Sequence, residues 1–184
     1  MKEQEPRFIV ITGGPGSGKT TLIERLASEG YAHAPEAGRA IIQAQTAIDG
    51  PALPWRDKEL FAELMLGWEM RSHAMMQGHP GPVLFDRGVP DIIGYRRLEG
   101  LPVPAHLSGA AHLCRYAKRV FLAPFWPEIY GRDAERRQDG ETARRTCQVV
   151  AQAYADLGYE IVELPCRPVT ERAALIRGMI GPPG

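Results

Sequence analysis

The sequence has few cysteines and no long hydrophobic run. Its three cysteines, Cys114, Cys147 and Cys166, are far apart and lack C-x-x-C spacing. This pattern argues against a disulfide framework and favours a reduced, cytoplasmic setting in which each thiol is a small buried hydrophobe. No apolar stretch approaches the roughly 20 residues that a membrane-spanning helix needs. The charged residues 1–6 run directly into an apolar segment, so we expect no signal peptide.

The sequence also lacks an excess of charge of either sign. Lysine and arginine number 22, as do aspartate and glutamate, so the formal net charge is zero. This balance argues against a nucleic-acid partner or an anionic membrane surface. The five histidines show no ligand spacing, which argues against a zinc site. With 184 residues, 44% of them hydrophobic, the chain is expected to form one domain over residues 1–184.

What the sequence does contain is a glycine-rich stretch of the pattern G-x-x-x-x-G-K-S/T. It comprises Gly13, Gly14, Pro15, Gly16, Ser17, Gly18, Lys19 and Thr20, and Thr21 follows it directly. Glycines let backbone N–H groups turn inward around a phosphate, where a Cβ would block the approach. Lys19 is expected to reach the β- and γ-phosphates of a nucleotide, and Thr20 to ligate Mg²⁺. The stretch therefore predicts a phosphate-binding P-loop.

The segments on either side of the loop agree with that interpretation. Residues 7–12 form a short β-branched run that is typical of a buried parallel strand. After the loop, Leu22, Ile23 and Leu26 recur at helical spacing, and Gly30 ends the segment like a C-cap. Strand, glycine loop and helix in this order disfavour a chance glycine-rich turn.

Strands and helices are predicted to alternate along the whole chain. Further strands are expected at residues 31–35, 83–86, 119–123 and 159–164, and further helices at 36–48, 56–77, 90–98, 104–116, 141–157 and 170–179. In the helix 56–77, the core-facing stripe is expected to be Leu60, Phe61, Leu64, Trp68 and Met75. This alternation predicts an α/β fold of three layers, with a five-stranded, mainly parallel sheet between helices. Ligands of such a sheet lie at the carboxyl ends of its strands.

The third predicted strand ends in an acid. Residues 83–86 read Val-Leu-Phe-Asp, which is a Walker-B-like pattern. A carboxylate at Asp86 could hold Mg²⁺, directly or through water, or accept a proton from a substrate hydroxyl. Arg87 beside it could fork onto a substrate carboxylate or phosphate. The alternative is an aspartate that only caps a turn or a helix.

The second predicted strand is followed by Glu36 and Arg39. Three residues apart, they would share a face at the N-terminal end of a helix that points at the same cleft. Glu36 is a candidate for binding or deprotonating an acceptor hydroxyl, and Arg39 for binding the acceptor. A glutamate at a helix start is explained equally well by the helix macrodipole. Both interpretations stay open.

A charged segment at residues 131–140, bounded by glycines, follows the fourth strand. Arg132 and Arg136 are four residues apart and would face the same way on a helical turn. Such arginines on a lid could stabilise charge on a transferring phosphoryl group. The alternative is a solvated, salt-bridged face, as expected for Glu141 and Arg145. The tail 181–184 is expected to be flexible.

Several stretches together resemble the compact AAA domain family of P-loop ATPases. They are Gly13–Thr21, Pro35–Ile42, Phe85–Asp91, Glu135–Arg137 and Tyr154–Pro165. Despite its name, this family looks kinase-like and includes relatives of the ribosylnicotinamide kinase domain. The resemblance covers nearly the whole chain and implies a nucleotide-binding fold.

The resemblance also implies roles for particular residues. Lys19 and Thr20 would bind ATP and Mg²⁺. Asp86 and Arg87 would match the acid–arginine pair that nucleoside and thymidylate kinases place beside the substrate. The arginines at 132 and 136 would match lid arginines, and the loop 166–170 would lie near the adenine.

Two functions remain open at the level of sequence. One is a Mg²⁺-dependent phosphotransferase that moves the γ-phosphoryl group of ATP to a hydroxyl or phosphate of a nucleoside-like or other metabolite. The other is a regulatory switch that binds and hydrolyses ATP without a small-molecule acceptor. The absence of an N-K-x-D motif argues against a Ras-like GTPase. The expected partners are a nucleotide and an acceptor whose identity, like the oligomeric state, the sequence does not predict.

Overall fold

Five strands alternate with eight helices in the residues that the computed structural model describes, which are 7–130 and 140–184. In chain order they are β1 (Phe8–Gly13), α1 (Lys19–Ser28), β2 (Ala32–Ala34), α2 (Ala37–Ala47), α3 (Lys58–Met75), β3 (Val83–Asp86), α4 (Val89–Leu98), α5 (Ala105–Leu113), β4 (Arg119–Ala123), α6 (Pro127–Tyr130), α7 (Gly140–Asp156), β5 (Glu160–Glu163) and α8 (Val169–Ile180). The strands β3 and β4 have the bounds that the sequence predicts. The expected alternation is confirmed.

The five strands form one parallel sheet in the order β2-β3-β1-β4-β5. The first strand is therefore central. Its carboxyl end is flanked by the ends of β3 and β4, since Ile11 pairs with Asp86 and Gly13 with Ala123. Residues that follow these strands must therefore lie next to the glycine loop, as in other open α/β sheets.

Helices cover both faces of the sheet. Side chains alternate along β1, so that Ile9 and Ile11 belong to a core with Leu22, Leu26 and other residues of α1 and α8. On the opposite face, Phe8 and Val10 pack with residues of β3, β4 and α7. The three-layer α/β/α fold that the sequence predicts is confirmed. No described helix has the length and hydropathy to cross a membrane.

The core-facing stripe of α3 differs from the prediction. Leu60, Leu64 and Met75 are exposed, whereas Phe61 is buried as expected and Trp68 is half-buried against the same cluster. The buried positions are Phe61, Ala62, Leu66, Glu69 and His73. This stripe contains two polar residues, so a search for apolar periodicity selects the wrong face. His73 is accommodated because its Nε2 lies 2.9 Å from the Arg115 carbonyl oxygen and its ring meets Phe8 edge-on at 4.8 Å.

Two smaller expectations concern the cysteines and the carboxyl-terminal tail. Cys114 and Cys147 are buried as expected, but the expectation for Cys166 is wrong: it is exposed, because it lies in the loop between β5 and α8. In the tail 181–184, the Gly181 carbonyl accepts a 2.5 Å hydrogen bond from the Tyr31 hydroxyl. The flexibility of this tail stays a prediction.

Candidate nucleotide and acceptor site

The glycine loop after β1 is packed so closely that side chains are excluded. A Cβ on Gly13 would lie 2.1 Å from the Ala123 carbonyl oxygen, and one on Gly14 would lie 2.6 Å from the carbonyl oxygen of Ala143. Gly16 and Gly18 both have a φ of 75°, which disfavours any residue with a Cβ. The loop is thus held against β4 and α7 in a conformation that only glycine adopts easily, which fits a backbone cradle for phosphate.

Lys19 lies at the end of this cradle, at the first position of α1. Its Nζ donates to the Gly14 carbonyl at 3.0 Å and to the Gly13 carbonyl at 3.4 Å, and Ser17 Oγ lies at 3.4 Å. Burial, followed by the nearby charge of Arg87, lowers the pKa of Lys19 to about 8. The two carbonyls hold the ammonium in the loop, where it can bind an incoming phosphate.

Arg87 joins the glycine loop to α2 and α4. Its Nε donates to Glu36 Oε1 at 3.1 Å, while its Nη1 donates to the Gly13 carbonyl at 3.0 Å and to Asp91 Oδ1 at 3.2 Å. Its backbone is left-handed, with a φ of 75°, and directs the chain from β3 into α4. The guanidinium that the sequence offers for an acceptor is thus already engaged by two carboxylates.

Glu36 lies at the N-cap position of α2, but its side chain makes no capping hydrogen bond there. It pairs instead with Arg87. Although burial opposes the shift, the charges of Arg87 and Lys19 hold the pKa of Glu36 below its ordinary value. Glu36 therefore lies next to the glycine loop through Arg87, while its role in binding or deprotonating an acceptor stays a prediction.

Asp91 is a residue of this cluster that sequence reasoning missed. It is 6% exposed and its carboxylate accepts hydrogen bonds from Thr12 Oγ1 at 2.5 Å, Tyr154 Oη at 2.6 Å and the Gly88 N–H at 3.0 Å, besides that from Arg87. The hydrogen bond from Arg87 Nη1 to Asp91 therefore holds the Arg87 side chain against the start of α4. The spacing of four residues between the two could have indicated the pair.

Asp86 ends β3 beside the loop and is 7% exposed. Its Oδ1 has no hydrogen-bond partner among the described residues, so the carboxylate does not act as an ordinary cap. Burial raises the pKa of Asp86, against the opposing charge of Lys19. An orphaned, buried carboxylate oxygen close to the P-loop fits a ligand to Mg²⁺ or a base.

The metal interpretation needs Thr20 as well as Asp86. Thr20 is exposed at the second position of α1. The described residues contain no group of three or more His, Cys, Asp or Glu side chains that could hold a metal. This donor set suits Mg²⁺, which keeps several waters and binds with few protein ligands plus the phosphates of a nucleotide.

Glu69 is the second residue that sequence reasoning missed. It is 4% exposed on α3. Burial, followed by the charges of Asp91 and Asp86, raises the pKa of Glu69 well above its ordinary value, and the charge of Arg87 opposes this shift. Nothing in the spacing of α3 signals such a residue, since a lone glutamate in a long helix is normally exposed.

The remaining candidates lie in different surroundings. Arg39 is exposed on α2. Arg132 and Arg136 fall outside the described residues. Arg172 of α8, which the sequence did not indicate, is 2% exposed and donates from Nη1 to the Ser17 carbonyl at 3.0 Å. This hydrogen bond joins the start of α8 to the P-loop. The placement of residues 166–170 near the adenine stays a prediction.

A parallel sheet whose central strand leads through a glycine loop into a helix defines a P-loop protein. The chain belongs to the AAA domain family, whose sequence model matches residues 8–172. No curated protein matches the sequence.

Two solved structures illustrate the likeness in fold. One is that of NadR protein in complex with NR, with a TM-score of 0.73 and 16% identity, covering 96% of this chain and 51% of that chain. Another is deoxyadenosine kinase from M. mycoides with the products dCMP and dCDP, with a TM-score of 0.64 and 14% identity, covering 94% of this chain and 97% of that chain. The chain thus spans about half the length of the NadR chain. At these identities the likeness concerns the fold.

Proposed function

We propose that the protein is a Mg²⁺-dependent phosphotransferase that moves the γ-phosphoryl group of ATP to a nucleoside-like or other small metabolite. The observation that carries this proposal is the convergence of Lys19, Glu36, Asp86 and Arg87 where β1 and β3 end. A switch needs the loop, but it does not need an acid–arginine cluster beside it. The similar fold of a deoxyadenosine kinase supports an acceptor of nucleoside type.

The chemistry requires mainly positioning and charge stabilisation. The acceptor oxygen forms a bond to the γ-phosphorus, the bond from that phosphorus to the β,γ-bridging oxygen breaks, and ADP leaves. Lys19 stabilises the charge on the phosphates. Asp86 carries the oxygen without a partner, so it is better placed than the ion-paired Glu36 to orient the acceptor hydroxyl and take its proton.

Thr20 would hold Mg²⁺ directly and Asp86 through a water, which leaves the Asp86 carboxylate available as the base, and the bound ion would neutralise charge on the β- and γ-phosphates. The proposal also assigns to Arg132 and Arg136 the stabilisation of charge on the transferring group. The backbone N–H groups of the loop, from Gly13 to Thr21, would surround the phosphates.

A screen of acceptors tests the proposal directly. ATP and Mg²⁺ are incubated with ribo- and deoxyribonucleosides, ribosylnicotinamide and their monophosphates, and ADP release and phosphorylated product are both measured. We expect at least one acceptor to stimulate ADP release and to appear as a phosphorylated product. Slow hydrolysis that no acceptor stimulates would instead favour the regulatory switch.

The variant Lys19→Ala tests the site assignment. Removing the ammonium from the loop should abolish transfer, because Arg87, the other described cation that donates to the Gly13 carbonyl, is already engaged by Glu36 and Asp91. Lys118→Ala is the matched control, since Lys118 is exposed at the opposite end of the sheet and pairs with Glu160. Both variants should melt close to the wild type. Undiminished transfer in Lys19→Ala would show that the P-loop assignment is wrong.

A further inference from the structure

Arg172 of α8 is a buried cation whose side chain donates a hydrogen bond to the P-loop. It is 2% exposed, and its Nη1 reaches the Ser17 carbonyl oxygen at 3.0 Å across 155 positions of the chain. Among the described residues its Nε has no hydrogen-bond partner, and no carboxylate pairs with the guanidinium. Burying a charge without an ion-pair partner is costly. A role in the loop explains this cost better than packing does.

The surroundings of Arg172 hold the guanidinium directly against the loop. A Cβ on Gly18 would lie 3.0 Å from Arg172 Nη1 and 3.3 Å from Ile129 Cδ1, so a side chain at this position would crowd the guanidinium. Arg172 Cζ lies 5.9 Å from the centre of the Trp126 ring, which is within the range of a cation–π contact. The guanidinium thus lies between an aromatic ring and the turn of the loop at Gly18.

The hydrogen bond from Arg172 determines how one peptide group of the loop is oriented. The Ser17 carbonyl and the Gly18 N–H belong to the same planar trans peptide, so they point in opposite directions. Because the carbonyl faces Arg172, the Gly18 N–H points away from Arg172, and it donates to no group in the described part of the chain. Gly16 and Gly18 flank this peptide and tolerate many backbone conformations, so without a partner for the carbonyl the peptide could rotate.

The charge of Arg172 also acts on the N–H at the other end of this peptide. Hydrogen bonds in series polarise one another, and the effect is larger in a buried site than in water. A guanidinium at the carbonyl oxygen therefore makes the Gly18 N–H a stronger donor toward an anion. Lys19 donates to the carbonyls of Gly13 and Gly14 in the same loop. The two cations thus contact different parts of the loop, and Arg172 reaches it from α8.

We propose that Arg172 is a positioning residue of the phosphate site, which holds the peptide between Ser17 and Gly18 so that the Gly18 N–H donates to a phosphate oxygen of the bound nucleotide. Arg172 acts through this peptide and does not touch the ligand. Its contribution should therefore be the same for ATP and for a polyphosphate that has no base or ribose. This inference rests on the phosphate-binding part of the proposed function.

The variant Arg172→Met tests the residue, because it removes the guanidinium and keeps a long, unbranched side chain. The Kd values of ATP and of inorganic tripolyphosphate are measured by calorimetry with Mg²⁺ and without an acceptor. We expect both to rise roughly tenfold, the scale of a lost hydrogen bond to a charged group. Arg172→Lys keeps a cation and should show a smaller rise. The control is Arg177→Met, at an exposed arginine of the same helix that pairs with Glu29.

The amide proton of Gly18 gives a readout that a packing role alone would not change. With isotope-labelled glycine, tripolyphosphate should shift this proton downfield in the wild type and in Arg177→Met, and by much less in Arg172→Met. An equal shift in Arg172→Met, or unchanged Kd values, would overturn the inference. So would a loss of affinity for ATP alone, which would make Arg172 a residue that binds the base or ribose. A wild type that binds neither probe would overturn the P-loop assignment as well.

Discussion

Single residues of the site differ in whether the fold supplies hydrogen-bond partners for their carboxylate oxygens. Asp91 accepts four hydrogen bonds, while Asp86, five residues earlier at the end of β3, has an oxygen with no partner in the described structure. A fully bonded carboxylate supports its neighbours. An orphaned one is available to a ligand, at a cost in stability that its function offsets.

The variant Asp86→Asn separates the catalytic role of this carboxylate from its cost in stability. Turnover at saturating ATP should fall by roughly 10²- to 10⁴-fold, the range for a general base. The melting temperature should not fall, because an amide avoids the cost of burying a charge. Asp156→Asn, at an exposed aspartate that pairs with Arg97, is the control. Turnover close to that of the wild type would contradict the role assigned to Asp86.

At the scale of elements, the glycine loop and β4 depend on each other. The chain after β1 passes so close to β4 that Gly13 approaches the Ala123 backbone, with a φ of 141°. The helix α3, in contrast, contains a glycine at position 67 beside open space. The same substitution should therefore have opposite effects in the two elements.

Gly13→Ala should lower the free energy of unfolding by about 2 kcal/mol or more, since its Cβ would lie 2.1 Å from the Ala123 carbonyl oxygen. Gly67→Ala should raise it by about 0.5–1 kcal/mol, because alanine loses less backbone entropy in a helix. Urea denaturation of the two variants measures both values. A neutral Gly13→Ala variant would mean that the loop and β4 are not packed as described.

At the scale of the whole molecule, the buried side chain of Glu69 on α3 makes stability depend on pH. Burial is the largest cause of the raised pKa of Glu69; the charges of Asp91, Asp86 and Glu36 add to it, and the charge of Arg87 opposes it. Between its unfolded and folded pKa values, the folded protein keeps a proton that the unfolded chain releases. The stabilisation is complete below the unfolded pKa and is lost as the pH rises through this window.

The variant Glu69→Gln should lack this dependence. The free energy of unfolding of the wild type, measured in urea without nucleotide, should fall relative to that of the variant as the pH rises above the ordinary glutamate value. The slope should not exceed about 1.4 kcal/mol per pH unit for one proton. The control is Glu24→Gln, at an exposed glutamate of α1, which should follow the wild type at every pH. Parallel curves for the wild type and Glu69→Gln would show that the pKa of Glu69 is not raised.

Local patterns account for what could be predicted of this protein. The strands β3 and β4, the glycine loop and the order of strands and helices all depend on residues that are close in sequence, where periodicity and backbone freedom act directly. Asp86 could be selected because parallel strands bring their carboxyl ends to one edge. The stripe of α3 was predicted wrongly, because Glu69 and His73 occupy its buried face.

The sequence by itself determined a P-loop protein with an acid and an arginine after β3. Only the tertiary structure decided that β1 lies between β3 and β4, that Arg87 pairs with Glu36 across 51 positions of the chain, and that Asp91 and Glu69 join them. The reason is that the hydrogen bonds and the pKa of a carboxyl depend on its distance from other groups in space and on its burial. No spacing along the chain records that a carboxyl is buried, or that its partner lies 51 positions away.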